Sequence, residues 1–453
     1  MNRALTLLVI ASFAIACNTP TAAEEGKAAT ASQSDPTLIV DGDVTVAFVN
    51  GMQILVKKVP NAELVAARLY LRGGSRNWSK DDAGVENLAV RVAVTGGTQG
   101  LDKIAFGMRL ATLGSTIDSA TSRDWSSINT KGLRSNFDET FKLLADVLLK
   151  PALPAAELEL ARAQTLIGLK REEEQPEGRL GILVDATLYK DHPYENRAQG
   201  SQETVAKITL SQVQAHLARL REGSRLLLVV VGDLEAAHVI RLAKVAFGGL
   251  PRGSYIEAPL ASRSFAKANL TVETRKLPTN YLQGYYSAPM IGEPGYAAAR
   301  VANAYLWDEM FKEVRTKRNL SYAPQAGLVV SQSGTLGLIG VSAVDPTTTY
   351  TVMLDVLRKL QTTPLTEAEL AGSKSKYLTN FLIGTESTDG QADLLARMQL
   401  LCGNWKLART ILDQVKAVTV ADVQAYAQKY IGNLQTIMLG DPTALDPVLA
   451  TSL

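Results

Sequence analysis

Three side chains in the first quarter of the chain have the spacing of a catalytic metal site without its chemistry. Asn87, Val90 and Arg91 stand at positions i, i+3 and i+4, which lie on one face if the segment is helical. Histidine, glutamate and histidine at such positions would bind a zinc ion and activate its bound water. Here the positions hold an amide, a valine and a guanidinium, and neither valine nor arginine can ligate zinc. We therefore predict that the chain binds no metal through this face.

The segment that carries these residues, numbers 82–98, has the pattern of an amphipathic helix. Its apolar residues recur at i, i+3, i+4 and i+7, so we expect one buried face. The segment resembles the AG-[LV]-x-H-x-x-E-H motif of the pitrilysin/insulinase family of zinc peptidases, the inverzincins. The residues that match this motif and the Gly-Thr after it are Ala83, Gly84, Val85, Leu88, Gly96 and Thr98. The resemblance puts Asn87, Val90 and Arg91 at the two histidine ligands and the glutamate base, and it puts Gly168 at the third ligand, a glutamate.

Composition and charge are those of an ordinary globular protein with room for more than one domain. The chain has 453 residues, of which 46% are hydrophobic and 20% are charged. The formal net charge of +2 gives no reason to expect a nucleic-acid partner. The histidines, His192, His216 and His238, are far apart in sequence, so we interpret each as a structural or surface residue. Phosphate loops and dinucleotide fingerprints are absent from the sequence, and no cofactor is predicted.

The N-terminus has the features of an export signal. Arg3 precedes an apolar run that is too short to cross a bilayer and that ends at Cys17. Because the residues before Cys17 resemble the end of a bacterial lipoprotein signal, we expect residues 1–16 to be a signal peptide and Cys17 to carry lipid. The predicted location is periplasmic, at the outer membrane; a plain signal peptide cut nearby is the alternative. Residues 17–36 are mostly small and polar, which predicts a flexible tether, so the lipid would be the one contact with the membrane.

The second half of the sequence repeats segments of the first half in the same order. Three segments recur about 209 residues later, which indicates an internal duplication into two homologous domains rather than a solenoid. The matching pairs are Asp146 with Asp355, Val213-Gln214 with Val423-Gln424, and Gly232-Asp233 with Gly440-Asp441. We place the two peptidase-like domains at residues 37–250 and 269–446, with a linker at 251–268.

The resemblance also implies an architecture. In the family, each domain is a mixed β-sheet with helices on one face, and facing domains enclose a substrate chamber. We therefore expect an α+β protein with two homologous α/β domains in a clam-like arrangement. Local patterns agree, because two alternating runs flank Asn50-Gly51, a strong hairpin signal. A strand within residues 117–128 would accept an extended peptide if it lay at a sheet edge, but the sequence leaves its place in the sheet open.

A second family motif is retained in the second half. The segment MFKEVRTKRNLSYAP resembles LFxEVREKRGLAYSV, whose Arg and Tyr reach the zinc site of a facing domain in the family. The resemblance implies these roles for Arg315 and Tyr322. A tyrosine hydroxyl can donate to an oxyanion, and an arginine can hold a carbonyl or carboxylate in a fixed plane. Composition alone would instead favour an exposed arginine and a packed tyrosine. Trp307 stands just before this motif, where many family members have a Gly-rich stretch, and we interpret it as a core aromatic.

These features predict a non-catalytic subunit of a bacterial zinc peptidase. By itself the chain would not be an enzyme. It would supply Arg315 and Tyr322 to the zinc site of a homologous partner that carries H-x-x-E-H, in a heterodimer or larger assembly that cleaves peptides. The alternative is a catalytically inactive scaffold or peptide-binding protein of the same fold, and a third hypothesis is a peptidase that uses other groups. An adjacent reading frame with an intact motif would favour the first hypothesis.

Overall fold

The chain folds around two β-sheets, and each sheet is formed by one half of the sequence. The structure is a computed structural model, and it describes residues 38–453. The predicted signal peptide at 1–16, the lipid site at Cys17 and the tether at 17–36 lie outside the described residues and stay predictions.

The first sheet contains seven strands, which are β1 (Ile39–Asp41), β2 (Val44–Val49), β3 (Met52–Lys58), β4 (Leu64–Arg72), β5 (Thr116–Thr121), β6 (Trp125–Leu133) and β7 (Leu226–Gly232). Their order across the sheet is β1-β2-β3-β7-β4-β6-β5, with β3 and β7 parallel and the other neighbours antiparallel. The hairpin between β2 and β3 turns at Asn50 and Gly51, whose φ angles are 46° and 86°. These positive values are those of a type I′ turn, so the predicted hairpin is confirmed.

The helices of the first half are α1 (Val85–Thr95), α2 (Lys103–Thr112), α3 (Phe137–Leu149), α4 (Ala155–Glu174), α5 (Pro176–Leu188), α6 (Gln202–Lys207), α7 (Leu210–Leu220) and α8 (Ala236–Phe247). Helix α1 is the amphipathic helix that the sequence predicts, and its apolar stripe is buried in the core of the first half. Helix α7 begins with a capping box, in which Thr209 and Gln212 each bond the backbone N–H of the other.

The second sheet contains β8 (Asn269–Thr274), β9 (Asn280–Ala288), β10 (Gln325–Ser331), β11 (Gly334–Ala343) and β12 (Gln435–Gly440). Its order is β10-β11-β9-β12-β8. The helices of this half are α9 (Tyr296–Met310), α10 (Pro346–Thr362), α11 (Glu367–Gly384), α12 (Thr388–Cys402), α13 (Leu407–Ala417), α14 (Val420–Tyr430) and α15 (Pro447–Ala450), and a π-helical turn, Phe311–Thr316, extends α9.

The two sheets have the same topology, as the internal duplication predicts. The order β3-β7-β4-β6-β5 corresponds strand by strand to β8-β12-β9-β11-β10, and in both sheets the first pair is parallel and the rest antiparallel. The capping box of α7 recurs at the start of α14, between Thr419 and Asp422. The predicted fold class, two homologous α/β domains, is therefore confirmed, whereas the domain boundaries stay a prediction.

One helix of each half lies on the sheet of the other half. The buried residues that join α12 to the first sheet are Leu55, Tyr70, Leu227, Val229, Leu395 and Leu400. The buried residues that join α5 to the second sheet are Leu180, Val184, Leu188, Tyr285, Ile437 and Leu439. Every residue of β7 is buried, so helices on one face alone would leave apolar side chains of the sheet in water. Each sheet therefore has the predicted helices on one face and, in addition, one helix of the other half on its second face.

Two arginine–carboxylate pairs hold these exchanged helices in place. Arg68 of β4 donates from Nε and Nη2 to the two oxygens of Asp389 on α12, at 2.8 and 2.9 Å, and its Nη1 lies 3.0 Å from Asp393. Arg179 of α5 makes a similar fork with Glu273 of β8, at 2.8 and 2.6 Å. A bidentate pair fixes the relative orientation of its two side chains in addition to its energetic contribution. Each pair therefore orients its helix on the sheet of the other half.

The predicted linker, residues 251–268, forms neither helix nor strand, and its first part is fixed to the first half, whereas the backbone of Arg263 bonds Ser333 of the second half. The guanidinium carbon of Arg225 lies 3.9 Å from the ring centroid of Tyr255 in the linker. Glu257 of the linker accepts a hydrogen bond from Nη2 of Arg76 at 2.7 Å, and the Arg76 side chain is almost fully buried. The connection between the halves is therefore held by ring and charge contacts.

Candidate functional site

The face of α1 that carries Asn87, Val90 and Arg91 has neither the two histidine ligands nor the glutamate base of a zinc site. Val90 is buried, whereas Asn87 and Arg91 are partly exposed. The guanidinium of Arg91 donates to the side-chain oxygen of Gln164 on α4, one turn before Gly168. A Cβ at Gly168 would meet no atom within 4 Å, so the predicted third position faces open space. Across residues 38–453, the structure shows no group of three or more His, Cys, Asp and Glu side chains that could hold a metal ion.

A buried carboxylate lies next to this face, and sequence reasoning missed it. Glu86 is 2% exposed and points into the core. Its carboxylate accepts hydrogen bonds from Nε1 of Trp78 at 2.6 Å and from the hydroxyl of Ser126, and it lies 3.0 Å from Nε2 of His216. The His216 ring also packs edge-on against Trp78, with centroids 4.3 Å apart. These contacts give His216 the structural role that its isolation in the sequence predicts, and they hold the start of α1 against α7 and β6.

The second retained motif lies on the π-helical turn that follows α9. The turn is wider than an α-helix, because the N–H of Lys317 donates to the carbonyl of Lys312, five residues back, at 2.9 Å. Single π turns inside α-helices are frequent at functional sites. Leu306, Met310 and Val314 are fully buried and anchor this region to the core of the second half.

Arg315 and Tyr322 are brought together by this turn. The guanidinium carbon of Arg315 lies 3.9 Å from the centroid of the Tyr322 ring and 4.8 Å from the centroid of the Phe311 ring. Tyr322 is 78% exposed, so it does not pack in the core. Within residues 38–453, neither the Arg315 guanidinium nor the Tyr322 hydroxyl has a hydrogen-bond or ion-pair partner. The pair is thus an exposed cation–π stack, with the guanidinium lying over the tyrosine ring.

The charged residues next to Arg315 are paired with one another. Glu313 lies 2.7 Å from Nζ of Lys317 and 2.5 Å from Nη1 of Arg318, and these hydrogen bonds lower the pKa of its carboxyl to about 2. Lys312 is paired with Glu309 at 2.7 Å. Among the residues that the structure describes, Arg315 is therefore the cation of this turn that has no carboxylate partner.

Trp307 is not the core aromatic that the sequence predicts. Its side chain is 43% exposed, and Nζ of Lys376 on α11 lies 5.9 Å from the centroid of its ring. The prediction was wrong because α9 is rich in small residues and its apolar pattern extends around much of the helix, so the sequence did not distinguish the exposed face.

The strand pair around residues 117–128 lies at the end of the first sheet. Strand β5 is its edge strand, and β6 lies between β4 and β5. The side chains of β5 alternate between exposed and partly exposed, and its outer backbone groups have no strand beyond them in the described sheet. Such an edge can accept an extended peptide as a further strand.

The sequence matches two family descriptions in succession. Residues 53–201 match "Insulinase (Peptidase family M16)", and residues 207–377 match "Peptidase M16 inactive domain". Among the curated proteins, an uncharacterised zinc protease of Mycobacterium leprae is 23% identical over 84% of this chain and 87% of that protein. The mitochondrial-processing peptidase subunit beta of Saccharomyces cerevisiae is 21% identical over 90% of this chain and 93% of that protein.

Solved structures share the fold over most of the chain. A peptidase M16 inactive domain from Pseudomonas fluorescens superposes with a TM-score of 0.80 and 23% identity, covering 89% of this chain and 99% of that one. The periplasmic protease PqqL from Escherichia coli superposes with a TM-score of 0.75 and 16% identity, covering 90% of this chain and 46% of that one. Among the described residues, none of the helices is long and apolar enough to span a membrane. The chain thus belongs to the pitrilysin/insulinase (M16) peptidase family, as a homologue without its H-x-x-E-H motif.

Proposed function

We propose that this chain is a non-catalytic subunit of a zinc peptidase, in which Arg315 and Tyr322 complete the active site of a homologous partner that carries H-x-x-E-H. The observation that carries the proposal is the exposed stack of Arg315 on Tyr322, whose polar ends have no partner within residues 38–453. The residues Asn87, Val90 and Arg91 support it, because they replace the side chains that would bind zinc and activate its water.

The two side chains suit the transition state of peptide hydrolysis. Attack of water on a peptide carbonyl creates an oxyanion, to which the Tyr322 hydroxyl can donate. The planar fork of Arg315 can bind a neighbouring carbonyl or a terminal carboxylate of the substrate. Since the ring of Tyr322 and the guanidinium already stack at 3.9 Å, little side-chain freedom is lost when substrate binds.

Co-expression with the H-x-x-E-H homologue tests the proposal. Tyr322→Phe removes one hydroxyl and keeps the ring under Arg315, and loss of one oxyanion donor costs about 10²- to 10³-fold in turnover. Arg315→Ala removes the fork. Arg358→Ala is the matched control, because Arg358 is partly exposed on α10 of the same half and pairs with Asp355 at 3.1 Å.

Assembly and cleavage are measured separately on each purified complex. The proposal expects all three variants to assemble and only Tyr322→Phe and Arg315→Ala to lose at least about tenfold in turnover. Wild-type cleavage by both of these variants in an intact complex would refute the shared site.

A second candidate is a peptide-binding protein without a catalytic partner. The observation that favours it is the edge position of β5, which can bind an extended peptide with no help from a metal. The two candidates differ in their prediction for Tyr322→Phe, since binding along β5 does not involve the hydroxyl.

We propose the periplasm as the place of action, with attachment through lipid on Cys17. The lipoprotein-like sequence before Cys17 supports this location, and one structural neighbour, PqqL, is described as a periplasmic protease.

A further inference from the structure

We infer that strand β8 (Asn269–Thr274), at one edge of the second sheet, is an interface at which two copies of this chain pair as antiparallel strands around a two-fold axis. The inference goes beyond the proposed function, because it assigns a second assembly surface that neither Arg315 nor Tyr322 forms. The partner at this surface is a second copy of the same chain.

The internal duplication shows that the second sheet lacks a strand at this edge. Strands β3 and β8 correspond, because each is the parallel neighbour of the last strand of its sheet, β7 or β12. In the first half, β2 pairs antiparallel with the other side of β3, and β1 pairs with β2. In the described sheet of the second half, no strand pairs with the other side of β8. The first half thus completes with its own hairpin an edge that the second half leaves open.

The backbone of β8 has free hydrogen-bonding groups along this edge. The N–H groups of Asn269 and Arg275 donate, each at 3.0 Å, to carbonyls at or next to the two ends of β12. Because alternate residues of a strand bond to the same neighbour, Leu270, Val272 and Thr274 turn their N–H and C=O groups away from β12. Among the described residues, these outward groups have no hydrogen-bond partner. An added strand would supply one.

The apolar side chains of β8 are covered only in part. Leu270 and Val272 pack against the core of the second half but remain half-buried. Their counterparts in β3 by register are Ile54 and Val56, which are at most 2% exposed beside β2 and α8. A strand added to β8 would remove further apolar surface from water, which is favourable.

The sequence of β8 is suited to pairing with itself. A two-fold axis at Val272 makes the two strands antiparallel, which is the orientation of β2 on β3. This register places Leu270 opposite Thr274 of the second copy, and no two like charges stand directly opposite each other. The two Glu273 carboxylates would lie diagonally across from each other, but each is already paired with Arg179 of its own chain at 2.6 Å.

Strand β8 also lacks the features by which edge strands avoid such pairing. It contains no proline and no lysine, and its register with β12 is continuous, so it has no bulge. It lies at the opposite edge of the sheet from β10, and β10 is the edge on which α9 packs before the turn that carries Arg315. Two copies joined at β8 would therefore keep their Arg315 surfaces free for a catalytic partner.

Sedimentation velocity of the full chain carrying Cys17→Ser tests the inference, because this form has no lipid that could cause association. We expect a dimer at about 100 µM that dissociates on dilution. Val272→Pro removes the outward N–H of the central pair and leaves the bonds to β12, so the dissociation constant should rise at least about tenfold. Val272→Ala is the matched control, because it keeps this N–H, and it should change the dissociation constant by less than about threefold. Circular dichroism checks that both variants are folded.

Hydrogen exchange of the unsubstituted strand keeps the inference testable if Val272→Pro does not fold. The amides of Leu270, Val272 and Thr274 should exchange more slowly at high than at low protein concentration. Exchange that does not depend on concentration, a chain that stays monomeric at about 100 µM, or a dimer that folded Val272→Pro leaves intact would each overturn the inference. Protection that is lost when residues 18–36 are deleted would also overturn it, because the chain's own N-terminal segment would then occupy the edge.

Discussion

We predict that the bidentate ion pair between Arg68 and helix α12 is a principal stabilising contact between the two halves of the chain. Arg68→Met tests it, because methionine keeps an unbranched apolar stem over the sheet and removes the guanidinium. After the change, Asp389 and Asp393 face the first sheet without their cation. The Tyr70 hydroxyl, which lies 3.3 Å from Asp393, is the polar group that remains beside them.

The size of the effect follows from burial. The side chain of Arg68 is 17% exposed, and those of Asp389 and Asp393 are 37% and 38% exposed. A solvent-exposed pair contributes at most about 1 kcal/mol, and breaking a buried pair costs about 3–5 kcal/mol, so this half-buried fork should contribute about 2 kcal/mol. Two carboxylates one turn apart repel by up to about 0.5 kcal/mol once the cation is gone. We expect Arg68→Met to lower the free energy of unfolding by about 2–2.5 kcal/mol.

Urea unfolding followed by tryptophan fluorescence measures this change. Trp405, one of four tryptophans, is buried in the same cluster as α12 and the first sheet, so its share of the total emission is sensitive to displacement of the exchanged helix. Arg358→Met is the matched control, because its pair with Asp355 is more exposed, at 37% and 64%, and lies within one helix, so it should contribute no more than about 0.5 kcal/mol. A cycle with Asp389→Asn isolates the coupling between the two fork residues. An Arg68→Met protein as stable as the Arg358→Met control would refute the argument from burial.

Two further predictions concern the metal face and the N-terminus. Metal analysis of the purified chain should find no stoichiometric zinc, and Asn87→His with Arg91→His should give no peptidase activity, because Val90 and Gly168 still leave the base and the third ligand missing; one tightly held zinc per chain would contradict this. Cys17→Ser should move the protein from the membrane fraction to the soluble fraction if lipid is its anchor, and unchanged fractionation, or a mature N-terminus elsewhere by mass spectrometry, would count against lipidation.

Much of the candidate site could be predicted from the sequence because it depends on the chemistry of single residues. Val90 and Gly168 offer no side-chain group that could ligate a metal in any fold. The apolar face of α1 and the turn at Asn50-Gly51 were also predictable, because each depends only on residues that are close together in the sequence. The repeated segments predicted two similar domains for the same reason, since each segment carries its own helix or strand pattern.

Other features depend on contacts between distant segments, and only the tertiary structure decided them. Glu86 and His216 are 130 residues apart, and nothing in the sequence around either of them indicates that their side chains form a hydrogen bond in the core. The apolar outer faces of the sheets require a cover, but their pattern does not say that α12 and α5 of the opposite halves supply it. The place of β5 at the edge depends on which strands pair, and the exposure of Trp307 depends on which face of α9 the neighbouring helices leave free. Side-chain chemistry and short-range periodicity are properties of the sequence itself, whereas burial is decided only when segments far apart in the chain come together.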